Sequence, residues 1–409
     1  MKLISIARRN ITRNIRRSIL SATAIAVSVL SVLVLFALIE GMTDDMAYNL
    51  KTYYTGEIRI RHQDFEQYER YNPIHLTVDW PSIDRALAGN SDIASYTARI
   101  PFAASLYLNE SNYGVMGVGV DFAREQTIHD LNALIVQGRI PQAGLNEALM
   151  GNSLAKDLGL VVGDSVTLLS TTATRGTNAI TVKIVGLVRF PVGAMNAKYL
   201  WMPLDRVQYF LRTGNGVQEI LVSSADSSNT NSLAEHIEHT VREVLSQPVE
   251  VKTWRQLNDL YALLEIARFS YYFIGIFFFL LGSTVIINTT MMIIYERMRE
   301  IGTLAALGMH GKELTRLFFL EGAIISAIGS AVGVAVGVII SLYLNRYGID
   351  FTDALSGIDM EMSSVFYPRI NWIATILVYV YAVVISSLAT LIPSRRAAKI
   401  QPVEALKYV

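Results

Sequence analysis

Four uninterrupted apolar runs stand out along the chain. They are Ser18–Ile39, Phe269–Tyr295, Gly322–Asn345 and Ile370–Ser394, of 22, 27, 24 and 25 residues, and none holds an Asp, Glu, Lys or Arg. A helix needs about 20 apolar residues to cross a bilayer core, so each run predicts a transmembrane helix, the third extended back to 317. The first run is longer than the apolar stretch of a signal peptide and leads into Glu40-Gly41-Met42-Thr43-Asp44-Asp45 rather than a small-residue cleavage site. It reads as a retained anchor. Before it, residues 2–17 have helical periodicity: Leu3, Ile4, Ala7, Ile11 and Ile15 fall on one arc, and Lys2, Arg9, Arg13, Arg16 and Arg17 opposite. Such a pattern predicts an amphipathic helix on a membrane surface.

Between the first two runs, residues 40–268 show shorter and alternating patterns. Gly56–His62 alternates like a strand, Trp80–Ala88 has helical spacing, and Ile93–Leu108 is extended. Asn146–Leu158 begins as a strand and turns helical. Gly163–Leu169 and Ile180–Val188 read as strands joined by the polar hairpin Ser170–Ala179. Glu219–Ser223 predicts a strand, Ser232–Val244 an acidic helix and Val249–Val251 a last strand. The segments 50–108 and 216–255 can close as a two-layer α/β unit, with about 109–215 as a β-rich insertion. The hairpin and the segment Phe190–Lys198 are expected at the surface.

The predicted class is therefore an α-helical membrane protein with four transmembrane helices and a large α/β extracytoplasmic domain between helices 1 and 2. Composition agrees: 52% of residues are hydrophobic and 17% charged, whereas soluble domains are nearer a quarter charged. Charge then sets the orientation. Residues 1–17, 296–316 and 393–409 together hold 14 basic and 4 acidic residues, leaving 21 basic and 31 acidic for the remainder. Basic flanks mark the cytoplasmic side, which places both termini and the 296–316 loop inside, and residues 40–268 and the 346–369 loop outside.

Within the third run Gly329, Gly333 and Gly337 recur every four residues. Small residues at that spacing let helix backbones approach closely in lipid, either within the chain or at a dimer seam. Glu321 stands at the start of this run. A charge at a predicted membrane end favours an anchoring role, paired with Arg316 or the arginines near the N-terminus. In the 296–314 stretch, Met298, Ile301 and Ala305 share a helical face with Leu304 beside them, and Glu296–Arg299 and Arg297–Glu300 have pairing i, i+3 spacing. This suits a short helix that docks into a groove of a soluble partner.

Several chemistries are absent from the sequence. With no cysteine, disulfides, thiolate metal sites and a cysteine nucleophile are excluded. The pair Gly311-Lys312 lacks the rest of a phosphate loop: Ala306 replaces the first glycine and Glu313 the Ser or Thr that would face Mg²⁺. His236, His239 and Glu243 share a helix face, but the neighbouring Glu235, Glu238 and Arg242 mark it as solvated rather than metal-binding. Gly151-Asn152-Ser153 lacks the last glycine of a hydrolase elbow. A net charge of zero gives no case for nucleic acid.

The stretch ERMREIGTLAALGMHGKEL (296–314) resembles the coupling segment of FtsX-like ABC-transporter permeases. ARRNITRNIRRSIL resembles that family's N-terminal elbow, EGAIISAIGSAVGVAVGVII its third span and PSRRAAKIQPVEALKY its C-terminal tail. GEIRI and ALMGNSLAKDLGLVVGDSVTLL are similar to the MacB-like periplasmic core. Length and the early GEIRI strand are most like the lipoprotein-releasing branch. The resemblance implies a non-catalytic permease subunit in a bacterial inner membrane. It implies an identical or paralogous second permease and two ATPase subunits that carry ATP and Mg; no cofactor is expected on this chain. Glu296, Arg297, Arg299, Glu300, Ile301, Leu304 and Gly308 would couple to the ATPase. Cargo would be lipoprotein, lifted from the outer leaflet to a periplasmic carrier. The alternatives are MacB-type export of a drug or peptide with an adaptor and outer-membrane channel, or FtsX-type signalling to cell-wall hydrolases.

Overall fold

The computed structural model describes residues 2–13, 15–69, 72–108, 111–245, 247–257, 303, 308–351 and 365–397. Within 265–292 it describes 265–266, 269–274, 276–277, 280–281, 284, 287–288 and 291–292. Two compact units result: Met1–Asp45 with Ile266–Asp350 and Phe366–Val409, and Met46–Glu265 with Phe351–Val365.

The first unit is helical. The amphipathic segment forms helix Lys2–Arg13, followed by helix Ile15–Asn49 and a π-helical turn, Leu50–Thr55. Helices Gly311–Tyr347 and Trp372–Ala397 complete the described part. Among the described residues three helices are long and apolar enough to cross a membrane: Ser18–Thr55, Gly311–Tyr347 and Trp372–Ala389. The fourth predicted span, 269–295, lies only partly within the described residues. Ile25, Val29 and Val32 of the first helix meet Ile325 of the second and Val378 and Ala382 of the third in a small buried core. Ser326 Oγ donates to the carbonyl of Ala382 at 3.4 Å. Arg369 pairs with Asp44 at 3.0 Å, and Asn371 donates to Glu40 at 3.2 Å, fixing the chain just before the last helix.

The second unit is α/β. Its strands are β1 Ile58–His62, β2 Val78–Asp79, β3 Ile93–Leu108, β4 Ser111–Val120, β5 Ile135–Gly138 and β6 Glu147–Gly151. They continue with β7 Ser165–Thr171, β8 Thr177–Val188, β9 Tyr199–Pro203, β10 Gly216–Val217, β11 Glu219–Ser224 and β12 Val249–Thr253. All but β2 and β10, which pair with each other, join one sheet in the order β12-β1-β11-β3-β4-β9-β6-β8-β5. β7 pairs with both β3 and β8, so β3, β4, β9, β6, β8 and β7 close into a ring. Closure removes exposed sheet edges from that half.

β3 is 16 residues long because it serves both halves. Its residues 93–99 pair with β11 in the open part of the sheet, and residues 105–107 pair with β7 in the ring. Helices Trp80–Leu87 and Thr230–Val244 cover one face of the open part with Ile83, Leu87, Leu233, Ile237 and Val241. Asp79 caps the first of these by accepting from Ser82 N at 3.2 Å. The hairpin turns more tightly than the sequence suggests, over 172–176, closed by Thr172 N to Gly176 O at 2.8 Å.

The segment Phe190–Lys198 departs from expectation. Phe190, Val192 and Met195 are buried with Trp201 rather than at the surface. Its polar residue turns inward: Asn196 accepts from Phe190 N at 2.7 Å and donates to Phe190 O at 2.8 Å, satisfying a buried turn.

Candidate functional site

The membrane-associated unit brings together two of the features picked out by sequence. Glu321 is buried, and its carboxylate accepts a hydrogen bond from Asn10 Nδ2 at 2.6 Å. This bond joins Glu321 to the N-terminal helix through an amide on the side of that helix that carries Ala7. Asn10 faces inward with Ala7, while Arg8, Arg9 and Arg13 are exposed.

The glycine ladder lies against the first helix of the same chain. A Cβ on Gly329 would fall 2.6 Å from the carbonyl oxygen of Ala22, and one on Gly333 2.5 Å from that of Ala26. At Gly337 the nearest atom would be Leu33 Cδ2 at 3.2 Å. Ala22 and Ala26 keep the spacing of Gly329 and Gly333, so small residues meet small residues at both positions. The coupling residues Glu296, Arg297, Arg299, Glu300, Ile301 and Leu304 lie outside the described residues. Gly308 is described: its φ of 95° ends the segment in a conformation that glycine adopts freely.

In the second unit, buried charge gathers on the sheet face opposite the helices. β1 sends Ile58 and Ile60 into the core and Arg59 and Arg61 to the other face. Across the strands Glu250, Arg61, Glu219 and Arg99 stand directly opposite one another with alternating sign. Arg61 donates through Nε to Glu219 at 3.1 Å and through Nη1 to Glu69 at 2.7 Å, and lies 4.4 Å over the Phe65 ring. Burial acts to lower its pKa; the Glu219 and Glu69 carboxylates outweigh this and raise it. Arg99 pairs with the fully buried Glu125, which also accepts from Thr97 Oγ1 at 3.2 Å. It further donates to the carbonyls of Thr52 and Tyr53.

His129 packs beside this pair, 5.0 Å from Tyr53 and 5.9 Å from Trp201 between ring centroids. Neither ring nitrogen has a hydrogen-bond partner among the described residues. Burial brings its pKa down to about 4, aided by Arg99 and opposed by Glu125. The imidazole is therefore neutral at pH 7.

Sequence reading found β1 but not its buried arginines. Alternation of Ile and Arg ordinarily marks a half-exposed strand. The available signal was Arg99, the only charge in the 16-residue apolar strand Ile93–Leu108. By contrast, the solvated reading of the 236–243 histidines agrees with the geometry: His239 and Glu243 are mostly exposed, 3.4 Å apart. No cluster of metal-binding residues occurs among the described residues.

The model of the MacB-like periplasmic core domain matches residues 18–240, and that of the FtsX-like permease C-terminal region matches 272–402. The chain belongs to the family of FtsX-like permeases with a MacB-like periplasmic core. It is similar to the lipoprotein-releasing system transmembrane protein LolC of Xylella fastidiosa, 27% identical over 271 residues. That match spans 64% of this chain and 64% of the relative. The lipoprotein-releasing system transmembrane protein LolE of Haemophilus influenzae is 23% identical over 341 residues, 80% of each chain. The macrolide export ATP-binding/permease protein MacB of Sodalis glossinidius is 23% identical over 405 residues. Those cover 95% of this chain but 58% of that protein.

Proposed function

We propose that this chain is the permease subunit of an ABC transporter that transmits force from ATPase subunits on one side of the membrane to its α/β unit on the other. The cargo is lipoprotein, released from the outer leaflet of the inner membrane to a soluble carrier. One observation favours this over macrolide-type export. The LolC and LolE relatives, matching 64% and 80% of this chain, are both named for a lipoprotein-releasing system. The missing phosphate-loop residues around Gly311-Lys312 agree with an ATPase on a separate chain.

In this reading both termini are cytoplasmic, the 269–295 run is a fourth span, and 296–314 docks on the ATPase. A second permease, identical or paralogous, completes the assembly. The test is purification in mild detergent, identification of the co-purifying ATPase, and reconstitution with a labelled lipoprotein. ATP-dependent release of that lipoprotein to a soluble carrier is expected. A complex that releases none, yet exports a soluble drug or peptide with an adaptor, would replace this reading with MacB-type export.

A further inference from the structure

Arg59 differs from the two buried arginines beside it. Only 8% of its surface is exposed. Arg61 is committed to Glu219 and Glu69, and Arg99 to Glu125. Among the described residues no carboxylate lies within ion-pair distance of Arg59, and no hydrogen bond reaches its guanidinium. On the sheet it stands opposite Leu221 on one side and Lys252 on the other. Lys252 is itself held by Glu66 and Glu250. Burying a cation without a bonded counter-charge is costly. Burial, with the charge of Arg61, brings the Arg59 pKa down to about 10, so it remains charged at neutral pH.

Arg59 lines a cavity of about 370 Å³, within the size range of small-molecule sites. Arg61 and Arg99 also line it, and Tyr53, Phe65 and Trp201 contribute aromatic wall. Glu69 and Glu219 line it too, which disfavours a ligand of high negative charge. A buried arginine without a bonded carboxylate, aromatic walls and nearby carboxylates together select an anion of low charge, no more than about −2, on an apolar body.

We propose that this cavity binds a small amphiphilic anion, with its carboxylate or phosphate-ester head on Arg59 and its apolar body along Tyr53, Phe65 and Trp201. The site lies wholly within the α/β unit and is independent of the cargo assigned above. Arg59 binds the head by charge-assisted hydrogen bonds, and the neighbouring ion pairs keep Arg61 and Arg99 from competing for it.

The full chain in a non-ionic detergent would be titrated calorimetrically with octanoate, octyl phosphate, octanol and inorganic phosphate. Arg59→Gln, measured identically, gives the background for partition into the micelle. One octanoate or octyl phosphate per chain is expected, weakened at least about tenfold by Arg59→Gln and partly retained by Arg59→Lys. Octanol and inorganic phosphate should each bind at least about tenfold more weakly than octyl phosphate. Equal affinity for octanol and octanoate, or unchanged octanoate affinity in Arg59→Gln, overturns the proposal. Inorganic phosphate binding as tightly as octyl phosphate overturns it in favour of a simple anion site. Should Arg59→Gln misfold, hydrogen exchange on the wild-type chain decides. Octanoate, but not octanol, must slow exchange in Ile58–His62 and Phe65–Tyr68, and identical exchange in both overturns the assignment.

Discussion

Asn10 and Glu321 are 311 residues apart, and their side chains are joined by a 2.6 Å hydrogen bond. The bond ties the amphipathic N-terminal helix to the Gly311–Tyr347 helix at a buried carboxylate. A buried carboxylate needs its donors, because leaving one unmade exposes it to the full cost of desolvation.

Asn10→Ala removes a donor to Glu321 and should cost about 1–3 kcal/mol. Asn10→Asp should be worse, since it sets a second carboxylate against the first. The measurement is hydrogen exchange in residues 2–13 of the detergent-solubilised chain, alongside thermal unfolding. Both variants should free the N-terminal helix, with Asp above Ala. An N-terminal helix exchanging at the wild-type rate in both variants would show that the 2.6 Å bond does not hold it.

Gly333→Leu tests the approach of the first helix to the ladder. Its Cβ alone would collide with the Ala26 carbonyl, and backbone cannot step aside as a flexible side chain can. Overpacking of this kind costs about 1–3 kcal/mol. Val332→Leu, at an exposed neighbouring position, should be nearly silent. Thermal unfolding in detergent should separate the two variants by several degrees. Equal midpoints would remove the argument from close packing.

What could be read from sequence, and what could not, follows from how far each signal reaches along the chain. The apolar runs, the strand–helix junction at Gly151-Asn152 and the hairpin strands are local patterns, and the chain declares them. The spacing of Gly329, Gly333 and Gly337 likewise declares a close approach, but not its partner: that depends on Ala22 and Ala26, some 300 residues away. Asn10 is silent in the sequence because an amide among arginines carries no pattern. Phe190–Lys198 reads as exposed from sequence but is buried because Asn196 satisfies the turn from inside, which only the folded backbone reveals. The same applies to Arg59 and Arg61, whose face is covered by residues from elsewhere in the chain.

His129 gives a pH dependence with a defined sign. Its pKa is about 4 in the folded chain, against an ordinary value of 6.5. Above pH 6.5 it is neutral in both folded and unfolded states. As pH falls from about 6.5 towards 4, only the unfolded state takes up the proton, so stability is lost across that window, by roughly 3 kcal/mol at most. Glu125, Arg99 and Asp130 act on the group electrostatically, so the comparison is with His129→Phe, which keeps an aromatic ring beside Tyr53 and Trp201. Hydrogen exchange of β3 and β4 in the full chain, at pH 7 and pH 5, should show a smaller acid loss in the variant. Equal losses would mean that His129 does not carry the effect.

The last prediction concerns the segment that would meet the ATPase. Reversing Glu300 to Arg would break the pairing with Arg297 and set a cation where the partner groove expects a carboxylate. Truncating one member of a desolvated interfacial charge pair costs about 2–5 kcal/mol, mostly through faster dissociation. Gly308→Ala approaches the same function by another route. Among the described residues nothing lies within 4 Å of the position its Cβ would take, but the φ of 95° is strained for alanine. Roughly 1–3 kcal/mol of backbone strain would re-aim the segment without touching a charge. Arg346→Gln, exposed at the other end of the Gly311–Tyr347 helix, removes a charge outside the segment and serves as control. Co-purification of the ATPase and its stimulation by the permease should fall at least about tenfold with Glu300→Arg. With Gly308→Ala, stimulation should fall more than recovery, because the segment is misdirected rather than stripped of its contacts. The control should match wild type. Wild-type recovery and stimulation in both variants would reduce 296–314 to a connector, and force transmission would have to enter the permease elsewhere.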